Sequence, residues 1–196
     1  MRKGVRVFLL SAACLGGVRG QRILAGESRA PFMEALLGGA AVQLGEVFAS
    51  ISSQYFRGKL EYARQFARWP KGGPSVFIIT ASQGLVAAEH AVTITDLRRM
   101  ATTDIEPDDL DYVRPVRSSS EALDRELAGD GDVVLLGSIA SRKYLDPLTR
   151  VFGARLLVPK SFIGVGNMSR GSILLRAVAA GVEVDYVIVS AMSPAG

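Results

Sequence analysis

Five short apolar runs, each bounded by glycine, proline or serine, constrain the fold of this chain more than any other feature of its sequence. They are rich in valine, isoleucine, leucine and phenylalanine, and they lie at residues 5–10, 75–80, 132–137, 155–158 and 185–190. Strands of a parallel sheet are covered on both faces, so they are apolar throughout instead of alternating. We therefore predict five buried strands.

The segments between these runs have the spacing of amphipathic helices. Residues 52–68 show it most clearly, because Phe56, Leu60 and Ala63 recur at helical spacing while Lys59 falls off this apolar line. Further helices are predicted at 31–48, 118–129, 141–152 and 169–180, the second of these beginning with a Ser118-x-x-Glu121 capping box. Strands that alternate with helices indicate a single three-layer α/β domain with a mostly parallel central sheet of about five strands.

Charge is unevenly distributed along the 196 residues, although the net charge is only +4. Residues 1–75 carry 11 Lys and Arg against 4 Asp and Glu, residues 76–140 carry 5 against 12, and residues 141–196 carry 7 against 3. Basic ends suit a surface that attracts phosphate or nucleic acid. The oppositely charged segments can equally face each other or a second subunit, so an oligomer stays open. The acidic stretch 104–120 is predicted to be an exposed excursion.

Residues 1–15 are open to two interpretations. Basic residues followed by a short apolar run and small residues resemble a secretory signal. Alternatively, residues 5–10 are the first strand, because later segments repeat the same order of strand and loop. We favour the strand and a cytoplasmic protein, and no apolar run is long enough to span a membrane.

Cysteine and histidine each occur once, as Cys14 and His90. A single chain therefore has too few ligands for a multi-cysteine zinc site and no partner for an internal disulfide. We expect neither a metal site nor a cofactor.

Small polar residues follow the predicted strands, where a parallel sheet places its ligands. Ser11 and Cys14 follow the first run, Ser82, Gln83 and Gly84 follow the second, Ser138 follows the third, and Ser190 begins the loop after the fifth. Such loops suit a polar or phosphorylated ligand. The alternative is that small residues simply form tight turns, and that Cys14 is a buried apolar residue.

A glycine-rich loop at 164–172 precedes the last predicted helix. It matches neither the dinucleotide-binding pattern nor the P-loop, since Ser172 stands where a P-loop has lysine. Gly166, Asn167, Ser169 and Arg170 nevertheless lie at a helix N-terminus, where free N–H groups favour an anion.

Three further residues are candidates for the same ligand or its chemistry. Tyr55 and Arg57 could stack on and clamp a base, and equally they could be ordinary packing and solvent-facing residues of their helix. His90 follows Glu89 and could act as a general base, with a surface position as the alternative. We assign catalysis, if there is any, to His90 and Ser82.

Two blocks of sequence carry a resemblance to a known family. Residues 55–64 (YFRGKLEYAR) and 76–86 (VFIITASQGLV), with the later 164–166 and 171–177, resemble an uncharacterised family of small microbial α/β domains that share an S-A-x-x-G-L turn. That family is similar to the uracil-glycosylase-like domain of archaeosine synthases, which implies nucleobases, nucleotides or modified RNA as ligands. Its turn usually carries a lysine, which this chain lacks; Arg19, Arg57 and Arg170 are possible substitutes.

These observations lead to one main functional hypothesis and two alternatives. We predict a nucleotide- or nucleobase-binding protein, with a hydrolase or transferase reaction at a glycosidic or phosphate bond left open. The alternatives are a nucleic-acid-binding accessory protein and a structural or regulatory oligomer.

Overall fold

A six-stranded sheet forms the centre of the structure, a computed structural model that describes residues 4–52, 54–69, 72–139 and 142–192. In chain order the strands are β1 (Arg6–Ser11), β2 (Val42–Gln43), β3 (Val76–Thr80), β4 (Gly84–Ala87), β5 (Ala91–Val92), β6 (Asp132–Leu136), β7 (Leu156–Pro159) and β8 (Tyr186–Ile188). The main sheet has the order β4-β3-β1-β6-β7-β8, and β2 pairs separately with β5. Strands β3, β1, β6 and β7 are parallel, whereas the edge strands β4 and β8 run antiparallel to their neighbours.

The α/β fold with a mostly parallel sheet is confirmed, and the five predicted runs correspond to β1, β3, β6, β7 and β8. The short strands β2 and β5 are not predicted from the sequence, and the main sheet differs from the prediction at both of its edges. Strand β4 is not among the predicted strands; it is the return strand of a hairpin, in a segment predicted to be the loop after the second run. Strand β8 is antiparallel, so Ser190, in the short 3₁₀ helix Val189–Met192 that follows it, lies at the opposite edge from the loops after β1, β3 and β6. Ser193 lies outside the described residues.

Eight α-helices occur in the described residues. They are α1 (Val18–Leu24), α2 (Met33–Leu37), α3 (Leu44–Ile51), α4 (Tyr55–Phe66), α5 (Ile94–Met100), α6 (Leu110–Glu126), α7 (Arg142–Phe152) and α8 (Asn167–Ala180). The single helix predicted at 31–48 is wrong, because the chain breaks at Gly38 and Gly39 and then forms β2 before α3.

Helix α6 begins earlier than its predicted capping box. Asp109 is the N-cap residue and its carboxylate accepts the Asp111 N–H, whereas Glu121 pairs with Arg117 on the helix surface. Residues 104–109 form the loop before α6. Residues 110–120 lie in the helix, which buries Tyr112 and Val116 fully.

Alternating side chains of β1 divide the core into two layers. Phe8 and Leu10 pack with helices α1 to α5 and α8, and Val7 and Leu9 pack with α6 and α7 on the other face. All four are fully buried, which confirms the predicted first strand and the three-layer arrangement. No helix in the described part of the chain has the length and apolar character needed to cross a bilayer.

The connections after β1 and β6 leave the sheet toward opposite faces. The chain after β1 builds helices on the Phe8 side, and the chain after β6 builds α7 on the other side. Because β1 and β6 are neighbours, their loops diverge and open a crevice at the carboxyl edge of the sheet. This is where open α/β sheets bind ligands.

Helices α4 and α8 touch backbone to backbone beside this crevice. A Cβ atom on Gly58 would lie 2.9 Å from the Gly171 carbonyl oxygen, and one on Gly171 would lie 2.9 Å from the Gln54 carbonyl oxygen. The glycines therefore let the two helices approach closely, which brings the N-terminal turn of α4 next to that of α8.

Candidate functional site

A cavity of about 660 Å³ occupies the crevice between β1 and β6. Its walls come from the end of β1 and the loop after it, from α1, α3, α4, α7 and α8, and from the loop after β6. The polar side chains in these walls are Ser11, Cys14, Arg19, Ser52, Tyr55, Lys59, Ser138, Lys143, Tyr144 and Asn167. The cavity thus lies at the edge that the sequence predicted for a ligand.

Lys59 forms the deepest charged part of the cavity wall, and its side chain is 1% exposed. Its Nζ donates hydrogen bonds to the Ser11 carbonyl oxygen at 2.5 Å and to Ser11 Oγ at 2.9 Å. Nζ also lies 4.5 Å from the centre of the Tyr55 ring and 4.8 Å from that of Phe56. None of these partners carries a negative charge.

Burial lowers the pKa of Lys59 from 10.5 to about 7. The cause is loss of hydration, which disfavours the ammonium form when no carboxylate is close enough to replace the water. Near neutral pH the cavity therefore contains a lysine that is divided between its charged and neutral forms.

Arg170 supports the wall behind Tyr55 and is 7% exposed. Its guanidinium donates to the carbonyl oxygens of Phe162 at 3.0 Å and Gly137 at 3.4 Å, and lies over the Phe162 ring. Burial raises the pKa of Tyr55, and the nearby Arg170 charge opposes this rise. The two side chains are not aligned for a full hydrogen bond, since the Tyr55 hydroxyl and Arg170 Nε both lack a partner of good geometry.

Every charged side chain among the described residues of this wall is basic. Lys59 lies deepest, Lys143 is half-buried and Arg19 is exposed, with one Arg19 nitrogen donating to the Ile51 carbonyl oxygen at 3.4 Å. A cavity lined in this way favours an anion, and a volume of about 660 Å³ is in the range of small-molecule sites.

A second cavity of about 300 Å³ adjoins the first and shares Cys14, Lys143 and Tyr144 with it. Its far wall contains the exposed carboxylates of Asp104 and Glu106, from the loop before α6. The acidic stretch of the sequence therefore borders the second cavity and not the first.

Five predicted ligand residues line the first cavity together: Ser11, Cys14, Tyr55, Ser138 and Asn167. Gly166 is the N-cap of α8, directly before Asn167. The Cys14 thiol is exposed, so the alternative of a buried apolar cysteine is wrong.

The turn after β3 lies outside the first cavity. Ser82 lines a separate depression beside the start of α6, and the Gln83 N–H donates to Thr80 Oγ1 at 3.1 Å within the turn. Gly84 has a φ of +69°, and a Cβ atom there would be 2.2 Å from the Pro115 carbonyl oxygen. This glycine is therefore required by the close approach of β4 to α6.

His90, Arg57 and Ser169 are exposed and none of them lines the first cavity. His90 follows β4, which runs back toward the opposite edge of the sheet, so it is separated from Ser82 by the length of that strand. A catalytic pair of Ser82 and His90 is not formed. Arg57 makes a surface ion pair with Glu61 at 3.0 Å.

Sequence reasoning missed Lys59, which falls off the apolar line of its helix. The structure buries Lys59 instead, and the spacing of two tyrosines around it could have indicated this. Tyr55, Lys59 and Tyr62 lie at positions i, i+4 and i+7 of α4, so they share one helix face, and that face is buried.

No family model, curated protein or solved structure matches this chain. The resemblance to small microbial α/β domains therefore stays a prediction.

Proposed function

We propose that this protein binds a phosphorylated small molecule of nucleotide size in the cavity between β1 and β6. One observation carries the proposal: the described charged side chains of the cavity wall, Arg19, Lys59 and Lys143, are all basic. Opposite charges attract, so a wall whose charged groups are basic favours an anion over a neutral or cationic ligand.

The remaining wall suits the other parts of a nucleotide. Tyr55 and Tyr144, both largely buried, add aromatic surface that a base can contact, and the side chains of Ser138 and Asn167 offer hydrogen bonds to a sugar or a phosphate. Asn167 is also the first residue of α8, so the free N–H groups of that helix begin next to it.

The direct test measures binding of AMP and UMP against adenosine and uridine by calorimetry. We expect the nucleotides to bind and the nucleosides to bind at least about tenfold more weakly, because a hydrogen bond to a charged group contributes about 1.5–3 kcal/mol. Equal binding of nucleotide and nucleoside would contradict a phosphate site.

Two variants form a matched pair for this measurement. Asn167→Ala should weaken nucleotide binding because Asn167 lines the cavity, and Ser82→Ala should leave binding unchanged because Ser82 lies in the separate depression. The opposite result would move the ligand site to the turn after β3.

A nucleic acid is the second candidate ligand, favoured by a groove of about 560 Å³ next to the cavity. Arg19 belongs to both, and Arg22 and Arg29 line the groove further out, beside Glu27. An oligonucleotide that follows these arginines would bind with an affinity that falls steeply as salt is added. A reaction at a glycosidic or phosphate bond, an oligomeric state and a cytoplasmic location stay predictions.

A further inference from the structure

Lys59 is a buried amine with no carboxylate among its described contacts. Its described hydrogen bonds go to the Ser11 carbonyl oxygen and Ser11 Oγ, and its other close neighbours are the aromatic rings of Tyr55 and Phe56. An ammonium group in such a place loses its hydration and gains no carboxylate in return, so the neutral amine is favoured. A neutral amine has a lone pair and is a nucleophile.

The cavity also separates this amine from the more accessible cations. Lys59 is 1% exposed, while Lys143 is half-buried and Arg19 is exposed, and all three line the same cavity. An anionic group held by the two outer cations would lie in the same cavity as Lys59, which gives the rest of the ligand access to the amine.

We propose that Lys59 forms an imine with an aldehyde or ketone group of a phosphorylated ligand in this cavity. The proposal rests on the proposed function for the phosphate and adds a covalent step to it. Lysines in desolvated, apolar surroundings are suited to this chemistry.

The step balances without a further reactant. The Nζ lone pair attacks the carbonyl carbon, and the electrons of the carbon–oxygen π bond move to oxygen, which takes a proton from nitrogen. The resulting carbinolamine loses its hydroxyl group and the second nitrogen proton as water, which leaves a carbon–nitrogen double bond. Ser11 Oγ, 2.9 Å from Nζ, is placed to pass these protons between nitrogen and oxygen.

Ribose 5-phosphate is a suitable probe, because its open form contains both a phosphate and an aldehyde. The aldehyde carbon is the carbon that carries the base in a nucleotide, which keeps the probe within the proposed ligand class. Sodium cyanoborohydride reduces an imine to a stable secondary amine, so peptide mapping by mass spectrometry then shows which lysine reacted.

We expect the adduct in the wild-type chain on Lys59, with at least about tenfold less on Lys143 and Lys160. A map in which Lys59 is unmodified, whether or not other lysines react, overturns the proposal. The wild-type map decides this without any variant, so a folding defect of a Lys59 variant cannot obscure the result.

Two variants sharpen the assignment. Lys59→Arg should remove the adduct because a guanidinium does not form an imine, whereas Lys160→Arg, at an exposed lysine outside the cavity wall, should retain the adduct. Persistence of the same adduct yield in folded Lys59→Arg would overturn the proposal.

Ribitol 5-phosphate separates this proposal from the proposed function, because it has the phosphate but no carbonyl group. If ribitol 5-phosphate and AMP bind while ribose 5-phosphate gives no Lys59 adduct, the imine fails and the phosphate site stands. If AMP and ribitol 5-phosphate both fail to bind, the proposed function fails as well.

Discussion

Lys59 Nζ donates to both the carbonyl oxygen and the hydroxyl oxygen of Ser11, at 2.5 and 2.9 Å, and so joins the middle of α4 to the last residue of β1. The two residues are 48 positions apart in the chain. Ser11 has reached the carboxyl edge of the sheet, where the next carbonyl groups have no strand to pair with. The lysine therefore satisfies buried oxygen atoms and at the same time lines the cavity that begins there.

Protonation of Lys59 should make the stability of the ligand-free protein depend on pH. Its pKa is about 7 in the folded chain and near 10.5 when unfolded, so between these values the unfolded chain binds the additional proton. Stability then rises with pH from about 7 upward, by at most about 1.4 kcal/mol per pH unit from this group. Below pH 7 Lys59 is charged in both the folded and the unfolded chain, so the free energy of unfolding is lowered by the full cost of burying that charge.

Lys59→Met removes this titration, and urea unfolding at pH 6, 7, 8 and 9 measures the effect. We expect the variant to lack the rise that the wild-type protein shows between pH 7 and pH 9. Lys143→Met, at the half-buried lysine of the same cavity, should retain it. Parallel pH profiles for the wild-type protein and Lys59→Met would contradict a depressed lysine pKa.

Gly84→Ala should destabilise the protein strongly. The substitution places Cβ 2.2 Å from the Pro115 carbonyl oxygen and 2.4 Å from Ser119 Oγ, so β4 and α6 must move apart. We expect a loss of at least about 3 kcal/mol, from the clash and the positive φ together.

Gly129→Ala isolates the contribution of the backbone angle. Gly129 has a φ of +71°, close to the +69° of Gly84, but a Cβ atom added there would have no neighbouring atom within 4 Å. This variant should lose about 1 kcal/mol. Equal losses in the two variants, measured by urea unfolding, would show that the contact with α6 is unimportant.

Gly58→Ala should disturb the cavity through the contact between α4 and α8. The new Cβ would meet the Gly171 carbonyl oxygen at 2.9 Å, which is backbone and cannot rotate away. We expect a loss of about 1–3 kcal/mol in stability, as for other overpacked sites, and weaker AMP binding because Lys59 and Asn167 move apart.

Gly166→Ala provides the control, because nothing lies within 4 Å of its added Cβ although Gly166 directly precedes Asn167. Thermal unfolding and AMP calorimetry on both variants test the difference. Unchanged AMP affinity in folded Gly58→Ala would mean that helix spacing does not control the site.

Local sequence signals predicted the strands and helices whose ends are marked by glycine, proline or serine. The five apolar runs form strands because leaving valine- and leucine-rich segments in contact with water has a large free-energy cost. Helix α8 ends where predicted because Gly181 adopts a φ of +65° that other residues avoid. The position of Ser11 and Ser138 at a ligand-sized crevice also followed from the rule for parallel sheets.

Features that depend on pairing between distant segments could not be predicted from the local sequence. Residues 84–87 and 186–188 form antiparallel edge strands, a direction set by their neighbours and not by their own composition. The direction of β4 carries His90 to the opposite edge of the sheet from Ser82, which separates the two residues that the sequence pattern favours for catalysis.

Local apolar content and turn residues were enough to predict the α/β class, the apolar first strand and the edge of the sheet at which the cavity opens. The burial of Lys59 against Ser11, in contrast, is a property of the folded chain that no local pattern predicts. A lysine at a helical position is compatible with water or with a cavity, and here α4 packs against the end of β1, 48 positions earlier in the chain, which buries the lysine.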